Sequence, residues 1–369
     1  MTAASNLPSR PTLHWFNPWH DDALAVGSPY YNPSRFSVRM ERALAVLPAW
    51  WAAEGDIVHT PQPPSEAWLQ RVGSLLPRVR YADCVSPETF KRVEPWGWDA
   101  RLCFLLRRMG WQGRPYTDPE ALRALSSRAT AVRMLPRLTG RHPMWTGRSC
   151  LIKSLDELPA IWKDTPEVIV KAPWSCSGRG TRYITPECTE SERGWMSGIL
   201  RRQGCLEVEP YYRRLADFAM EFNLTSQGAV YDGLSVFVTE KGNYAGNQVC
   251  TEEQAQQLLQ PHVQPEQLQQ LRQAWTEELN LHVAPHYHGP LGIDMMAVDT
   301  PGGVRLHPCV EINLRRTMGW VALRLRRLLP PGSTGHMFVS DSRMPASTHR
   351  LPLTPEEDGP YMYLELTHD

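Results

Sequence analysis

The stretch Val168–Ile184, VIVKAPWSCSGRGTRYI, decides how the rest of the chain is read. Three β-branched residues lead into Lys171, the pattern of a buried strand. The loop beyond carries Ser175, Ser177, Gly178, Arg179 and Gly180. Glycines let backbone N–H groups approach an anion with no Cβ in the way, and hydroxyls and a guanidinium add donors to phosphate oxygens. A strand lysine followed by such a loop suits a triphosphate. The segment matches neither G-x-x-x-x-G-K-[ST] nor G-x-G-x-x-G, the two common nucleotide loops. A Ser/Gly hairpin turn with an exposed lysine fits the same residues.

Toward the C-terminus stand LGIDMMAVD (291–299) and HPCVEINLRRTMG (307–319). Residues two apart on a strand face the same side, so Glu311 and Asn313 present two oxygen ligands together. Asp294, on a neighbouring strand, completes the set. Hard oxygen donors of this kind suit Mg²⁺, which takes one or two carboxylates and leaves room for phosphates and water. An edge strand with solvated polar residues is the plain alternative. Against it, Val310, Ile312 and Leu314 alternate with the polar pair, so one face is apolar. Between these features lies CLEVEPYYRRLADFAMEF (205–222), a strand running into a loop. Backbone groups near Glu209, Pro210 and Tyr211 suit an adenine edge, and Asp217 suits ribose hydroxyls.

In this order and spacing the features resemble the ATP-grasp superfamily over roughly residues 120–330. By that resemblance Lys171 contacts the α- and β-phosphates, Glu209 and Tyr211 flank adenine, and Asp217 holds the ribose. Asp294, Glu311 and Asn313 hold magnesium. The family places a basic residue, more often Lys, at the start of the helix entering this region. Here SSRATAVRMLPRL (126–138) puts Arg128 there, and a guanidinium binds phosphate bidentately where an ammonium is a point charge. A second departure follows Asn313. Many ligases of the family have a small residue and a proline before the glycine, whereas this chain has Leu314, Arg315 and Arg316. The two arginines suit a substrate carboxylate or the developing negative charge at the reacting carbon. Surface basic residues ahead of the helix VALRLRRLL fit them equally.

The fold class implied is α/β (α+β): an ATP-grasp fold preceded by an N-terminal α/β lobe. The lobe spans 1–118, a first subdomain with the phosphate loop 119–210, and a second, with the metal strands and a C-terminal extension, 211–369. The activity implied is an ADP-forming ligase that uses ATP and Mg²⁺ or Mn²⁺ to join a small-molecule or peptide carboxylate to an amine through an acyl phosphate. A kinase or phosphotransferase on a small molecule, or a nucleotide-binding regulatory module without turnover, shares most of these residues.

In the N-terminal lobe, PTLHWFNPWHDDALA (11–25) runs from a strand at Leu13–Phe16 into a loop at the breaker pair Asn17-Pro18. Asn17, His20, Asp21 and, in YYNPSRF (30–36), Arg35 offer donors, acceptors and charge for an amino acid or other small acid. The resemblance assigns this lobe the same task. An N-capping Asp21 with a surface His20 is the alternative. Helical spacing is read from Ser37 to Ala53, ended or kinked by Pro48. It returns at GWDARLCFLLRRMGW (97–111) and from Pro119 to Leu135, stopped by Pro136. The C-terminal half reads as a largely antiparallel sheet, with a helix at Glu252–Asn280.

The chain has 369 residues, 42% hydrophobic and 21% charged, enough for two or three lobes with a cleft between them. Basic and acidic residues balance at 39 each, so no broad field calls for nucleic acid or a membrane surface. The start MTAASNLPSR lacks the apolar core of a signal peptide, and no run approaches the roughly 18 apolar residues of a spanning helix. A cytoplasmic location is expected. The eight cysteines contain no C-x-x-C pair, so free thiols are expected.

Overall fold

The computed structural model describes residues 10–115, 117–175, 180–240, 243–357 and 359–367. Among them the strands form three sheets in chain order. The first is parallel, with β1 (Thr12–Trp15), β2 (Ile57–His59), β3 (Arg80–Ala82) and β4 (Arg92–Pro95) in the order β3-β2-β1-β4. The second is antiparallel: β5 (Cys150–Ile152), β6 (Val168–Lys171), β7 (Thr181–Ile184) and β8 (Leu206–Pro210), in the order β5-β8-β6-β7. The third, also antiparallel, runs β13-β12-β9-β10-β11-β14-β16-β15. Its strands are β9 (Arg213–Thr225), β10 (Gly228–Glu240), β11 (Asn243–Val249), β12 (Gly289–Thr300), β13 (Gly303–Asn313), β14 (Thr334–Ser340), β15 (Arg350–Pro352) and β16 (Tyr361–Thr367).

Strand alternation fixes what each face of the large sheet does. Phe218, Met220 and Phe222 of β9 join Leu291, Ile293 and Met295 of β12 in one core, packed with Trp275 and Leu279 of the helix Pro265–His282. The other face of the same strands carries Asp217, Glu221 and Asp294. One side of the sheet is therefore a foundation and the other lines a cleft.

Two expected helices are each broken in two. The helix read from Pro119 to Leu135 is Pro119–Leu125 followed by Arg128–Thr139, because the Ser127 hydroxyl accepts from the Ala129 N–H and starts a new helix. Pro136 does not stop that helix. It sits in the last turn, where its missing N–H removes only one terminal bond. The helix read at Glu252–Asn280 is Glu252–Leu259 and Pro265–His282, the proline standing where a helix needs no N–H. The first helical stretch is Arg35–Leu44 and a short 3₁₀ turn, Leu47–Trp50, which Pro48 opens.

A second core joins the chain's two ends. Leu44, Trp50 and Trp68 pack with Leu353, Met362 and Leu364. The Trp50 indole donates to the Leu353 carbonyl at 2.8 Å and the Trp68 indole to the Pro352 carbonyl at 3.1 Å. No helix among the described residues is long and apolar enough to cross a membrane. The described cysteines are free thiols.

Candidate active site

Lys171 ends β6 opposite Glu207 of β8, and its Nζ lies 2.7 Å from Glu209 Oε1. All three side chains are buried. Burial works against the charge on Lys171, but Glu207 and Glu209 outweigh it, so its pKa rises. Burial likewise pushes the Glu207 carboxyl up, with Lys171 pulling the other way.

Arg128 opens the helix Arg128–Thr139 and is 6% exposed. Its backbone N–H donates to the Pro173 carbonyl at 3.0 Å and its Nε to that of Ala172 at 3.1 Å, so the helix start is fastened to the loop after β6. Its Nη2 reaches Ser175 Oγ at 3.4 Å and Glu311 Oε1 at 2.8 Å. Glu311 stands directly opposite Asp294, and Asn313 opposite Gly292. Asn313 Nδ2 donates to Asp294 at 3.1 Å. Burial first, and the charge of Glu311 second, hold the Asp294 carboxyl above its ordinary range. A cation placed there would relieve that repulsion. Two carboxylates and an amide oxygen are a hard donor set that fits Mg²⁺.

Arg315 and Arg316 part company. Arg315 donates from Nη2 to Asn313 Oδ1 at 3.0 Å and from Nε to Asp21 at 3.1 Å, which links the metal strand to the N-terminal lobe. Arg316 turns to β4, where it pairs with Glu94 at 2.6 Å and donates to the Pro95 carbonyl. Asp21 does not cap its helix. Trp19 is the N-cap of His20–Val26, and Asp21, in the first turn, faces Arg315. His20 and Asp21 line one small cavity, of about 10 Å³, with Ser175, Glu311 and Asn313. His20 is buried, 3.6 Å from Asp99, and so not a surface residue. Asn17 donates to Asp99 at 2.9 Å and to the Gly97 carbonyl at 2.8 Å, a tie between two loops of the lobe. Arg35 lies elsewhere, in a cleft with Asp341 and Tyr361.

Tyr211 is half exposed and edge-on to Tyr183, its backbone N–H donating to the Glu167 carbonyl at 2.9 Å. Asp217 accepts from Thr239 at 2.6 Å and Arg214 at 3.1 Å, and burial raises its pKa. Gly180 closes the hairpin by accepting from the Ala172 N–H at 2.7 Å. Ser177, Gly178 and Arg179 lie outside the described residues.

Three residues escape a reading of the sequence. Glu207 is one half of an E-x-E pair on one strand face. Glu221, in the apolar run FAMEF, is 1% exposed, accepts from Thr317 at 2.7 Å, and is pushed by burial to about 8. A Cβ on Gly292, directly opposite, would come within 2.7 Å of its carboxylate. His307, four before Glu311, is fully buried 4.0 Å from Glu209, and burial lowers its pKa to about 4, so it is neutral. The usable signal in each case is period two on a strand already assigned to the cleft.

No protein-family model and no curated protein matches the sequence. Solved structures do match in fold. A Campylobacter jejuni biotin carboxylase, solved with an ATP ligand, is similar over 97% of this chain and 87% of its own, with TM-score 0.56 and 10% identity. The biotin carboxylase domain of a Hydrogenobacter thermophilus 2-oxoglutarate carboxylase, solved with MgADP and bicarbonate, is similar over 98% and 86%, with TM-score 0.57 and 11% identity. An Aspergillus clavatus N5-carboxyaminoimidazole synthase, solved with ADP and aminoimidazole ribonucleotide, is similar over 98% and 94%, with TM-score 0.51 and 12% identity. Since the likeness runs along nearly the whole chain in each comparison, and the sheet with the loop lysine closes on the sheet with the carboxylates, this protein has the ATP-grasp fold.

Proposed function

We propose that this chain is an ADP-forming ligase that joins a carboxylate to an amine through an acyl phosphate. The observation that supports it most is the 2.8 Å contact between Arg128, beside the phosphate loop, and Glu311, on the metal strands. Groups suited to phosphate and groups suited to a cation stand within one hydrogen bond. The nucleotides and MgADP found in proteins of the same fold support the same ligands here. Bound Mg²⁺ supplies charge neutralisation between the nucleotide phosphates.

Asp294, Glu311 and Asn313 hold that ion. Lys171 and Arg128, with Ser175, Ser177, Gly178, Arg179 and Gly180, hold the phosphates, while Glu209 and Tyr211 flank adenine and Asp217 holds the ribose. A substrate carboxylate oxygen attacks the γ-phosphorus and ADP leaves. The amine then attacks the acyl carbon, phosphate leaves, and the amine proton departs with it or to water. Arg315, fixed between Asn313 and Asp21, stabilises the charge that develops on the carbonyl oxygen.

The test is incubation with ATP, Mg²⁺ and pairs of carboxylates and amines, following ADP, phosphate and amide. Turnover should stop with EDTA and return with Mg²⁺ or Mn²⁺. Glu311→Gln should lower it about a hundredfold. A phosphorylated product with no amide would mark a phosphotransferase, and nucleotide binding with no turnover on any pair a binding module.

A further inference from the structure

Parallel sheets are ordinarily apolar on both faces, because helices cover both. β1 and β4 depart from this. Leu13, Trp15 and Val93 enter the core, whereas Thr12, His14, Arg92 and Glu94 share the opposite face and give onto a cavity of about 870 Å³. Polar side chains on a covered sheet face cost stability unless something there bonds to them. The far wall is Tyr287, Arg316, Trp320 and Arg324.

Charges of both signs are held at fixed places. At one end Glu94 is shared by Arg92 at 3.1 Å and Arg316 at 2.6 Å, one carboxylate for two guanidiniums. Arg316 and Arg324 lie against the Trp320 ring at 5.2 and 4.5 Å. Arg324 is paired with Asp232 at 2.5 Å, so the positive charge left over at this end is that of Arg92 and Arg316 over their one shared carboxylate. At the other end, where β1 and β2 begin, Asp56 is taken up by His14 at 2.9 Å and by the Thr12 and Ala53 N–H groups at 2.8 and 3.0 Å, and Glu54 stands exposed beside it. Trp51, Trp96 and Trp98 add apolar wall. The volume lies high in the roughly 300–1,000 Å³ range of ligand sites, more than a single small amino acid needs.

We propose that this cavity binds a short free-ended peptide, its carboxylate toward Arg92 and Arg316, which share one carboxylate, and its ammonium toward Glu54. Arg316, which lines the cavity, is the chain neighbour of Arg315, which donates to Asn313, so consecutive residues serve the cavity and the proposed metal strand. Resting on the ligase reading, the peptide's terminal carboxylate is the group activated.

The test titrates the full chain, without nucleotide, with a library of free-ended tripeptides and with the same library amidated at the C-terminus. Melting temperature and tryptophan fluorescence report binding. Free-ended members should raise Tm, and amidation should weaken their binding about tenfold or more, as loss of a charge-assisted contact does. Arg92→Gln, a change at a largely exposed side chain, should weaken binding comparably. The proposal falls if no free-ended peptide raises Tm, if amidated peptides bind as tightly, or if Arg92→Gln leaves Kd unchanged. Peptide binding without ADP release would sink the ligase reading and keep this one. ADP release on other carboxylates with no peptide bound would do the reverse.

Discussion

Removing the Lys171 side chain strands two carboxylates. At 3% exposure it is the counter-ion of Glu209 and the neighbour of Glu207, which are 5% and 2% exposed. Breaking a buried pair from one side costs about 3–5 kcal/mol, because the remaining charge has no water to return to. Lys171→Ala should therefore lower stability by about that amount in chemical denaturation, besides weakening ATP binding in calorimetry. Adding Glu207→Gln and Glu209→Gln should restore stability but not nucleotide affinity. An unchanged denaturation midpoint in the single variant would mean the buried pairs do not form. From sequence alone Lys171 reads correctly as a strand-end lysine. Its burial does not, since that depends on β8 lying alongside with Glu207 and Glu209 turned the same way. Asp21 is the same lesson inverted: its position suggests a cap, and its partner is Arg315, 294 positions away.

At the scale of strands, β9 and β12 show how one face of a sheet stores a titration. Glu221 lies on the cleft face, wedged against Gly292 and Thr317, and burial lifts it from the ordinary carboxylate range of about 4.3 to about 8. Its folded pKa lies above its unfolded one, so the folded state holds the proton more tightly. The stability this contributes is fully present below the unfolded pKa and is lost as pH rises through the folded pKa. Glu221→Gln mimics the protonated form, so between about pH 4 and pH 8 its Tm should fall less steeply than that of the parent, with the largest gain near pH 8. Melting curves across that range, with EDTA present, check this. Parallel Tm–pH curves would place Glu221 in a wetter site. The β12 and β13 alternation was legible because apolar and polar residues trade places at period two. The break at Ser126–Ser127 was not, since helical spacing continues across it and only the Ser127 hydroxyl marks the new start.

Across the molecule, Arg316 is the fastening between the N-terminal lobe and the large sheet. One guanidinium serves Glu94, the Pro95 carbonyl and the ring of Trp320 at once, which the point charge of a lysine cannot do. Arg316→Ala should cost about 3 kcal/mol in denaturation and speed amide exchange in β4 ahead of β9 and β12, with Arg316→Lys recovering only part. Equal exchange in β4 before and after would show that other contacts hold the lobe. Nothing in a single sequence marks this contact, whose partners are 222 positions apart. The rise in strand content after residue 149 was legible, and β5 to β16 lie there. The shared core of Trp50 and Trp68 with Leu353 and Met362 has a consequence in time. The Leu353 carbonyl that receives the Trp50 indole follows it by 303 positions, which a ribosome covers in about 15 to 60 s at ordinary elongation rates. Trp50 and Trp68, made early, are thus covered by residues translated last.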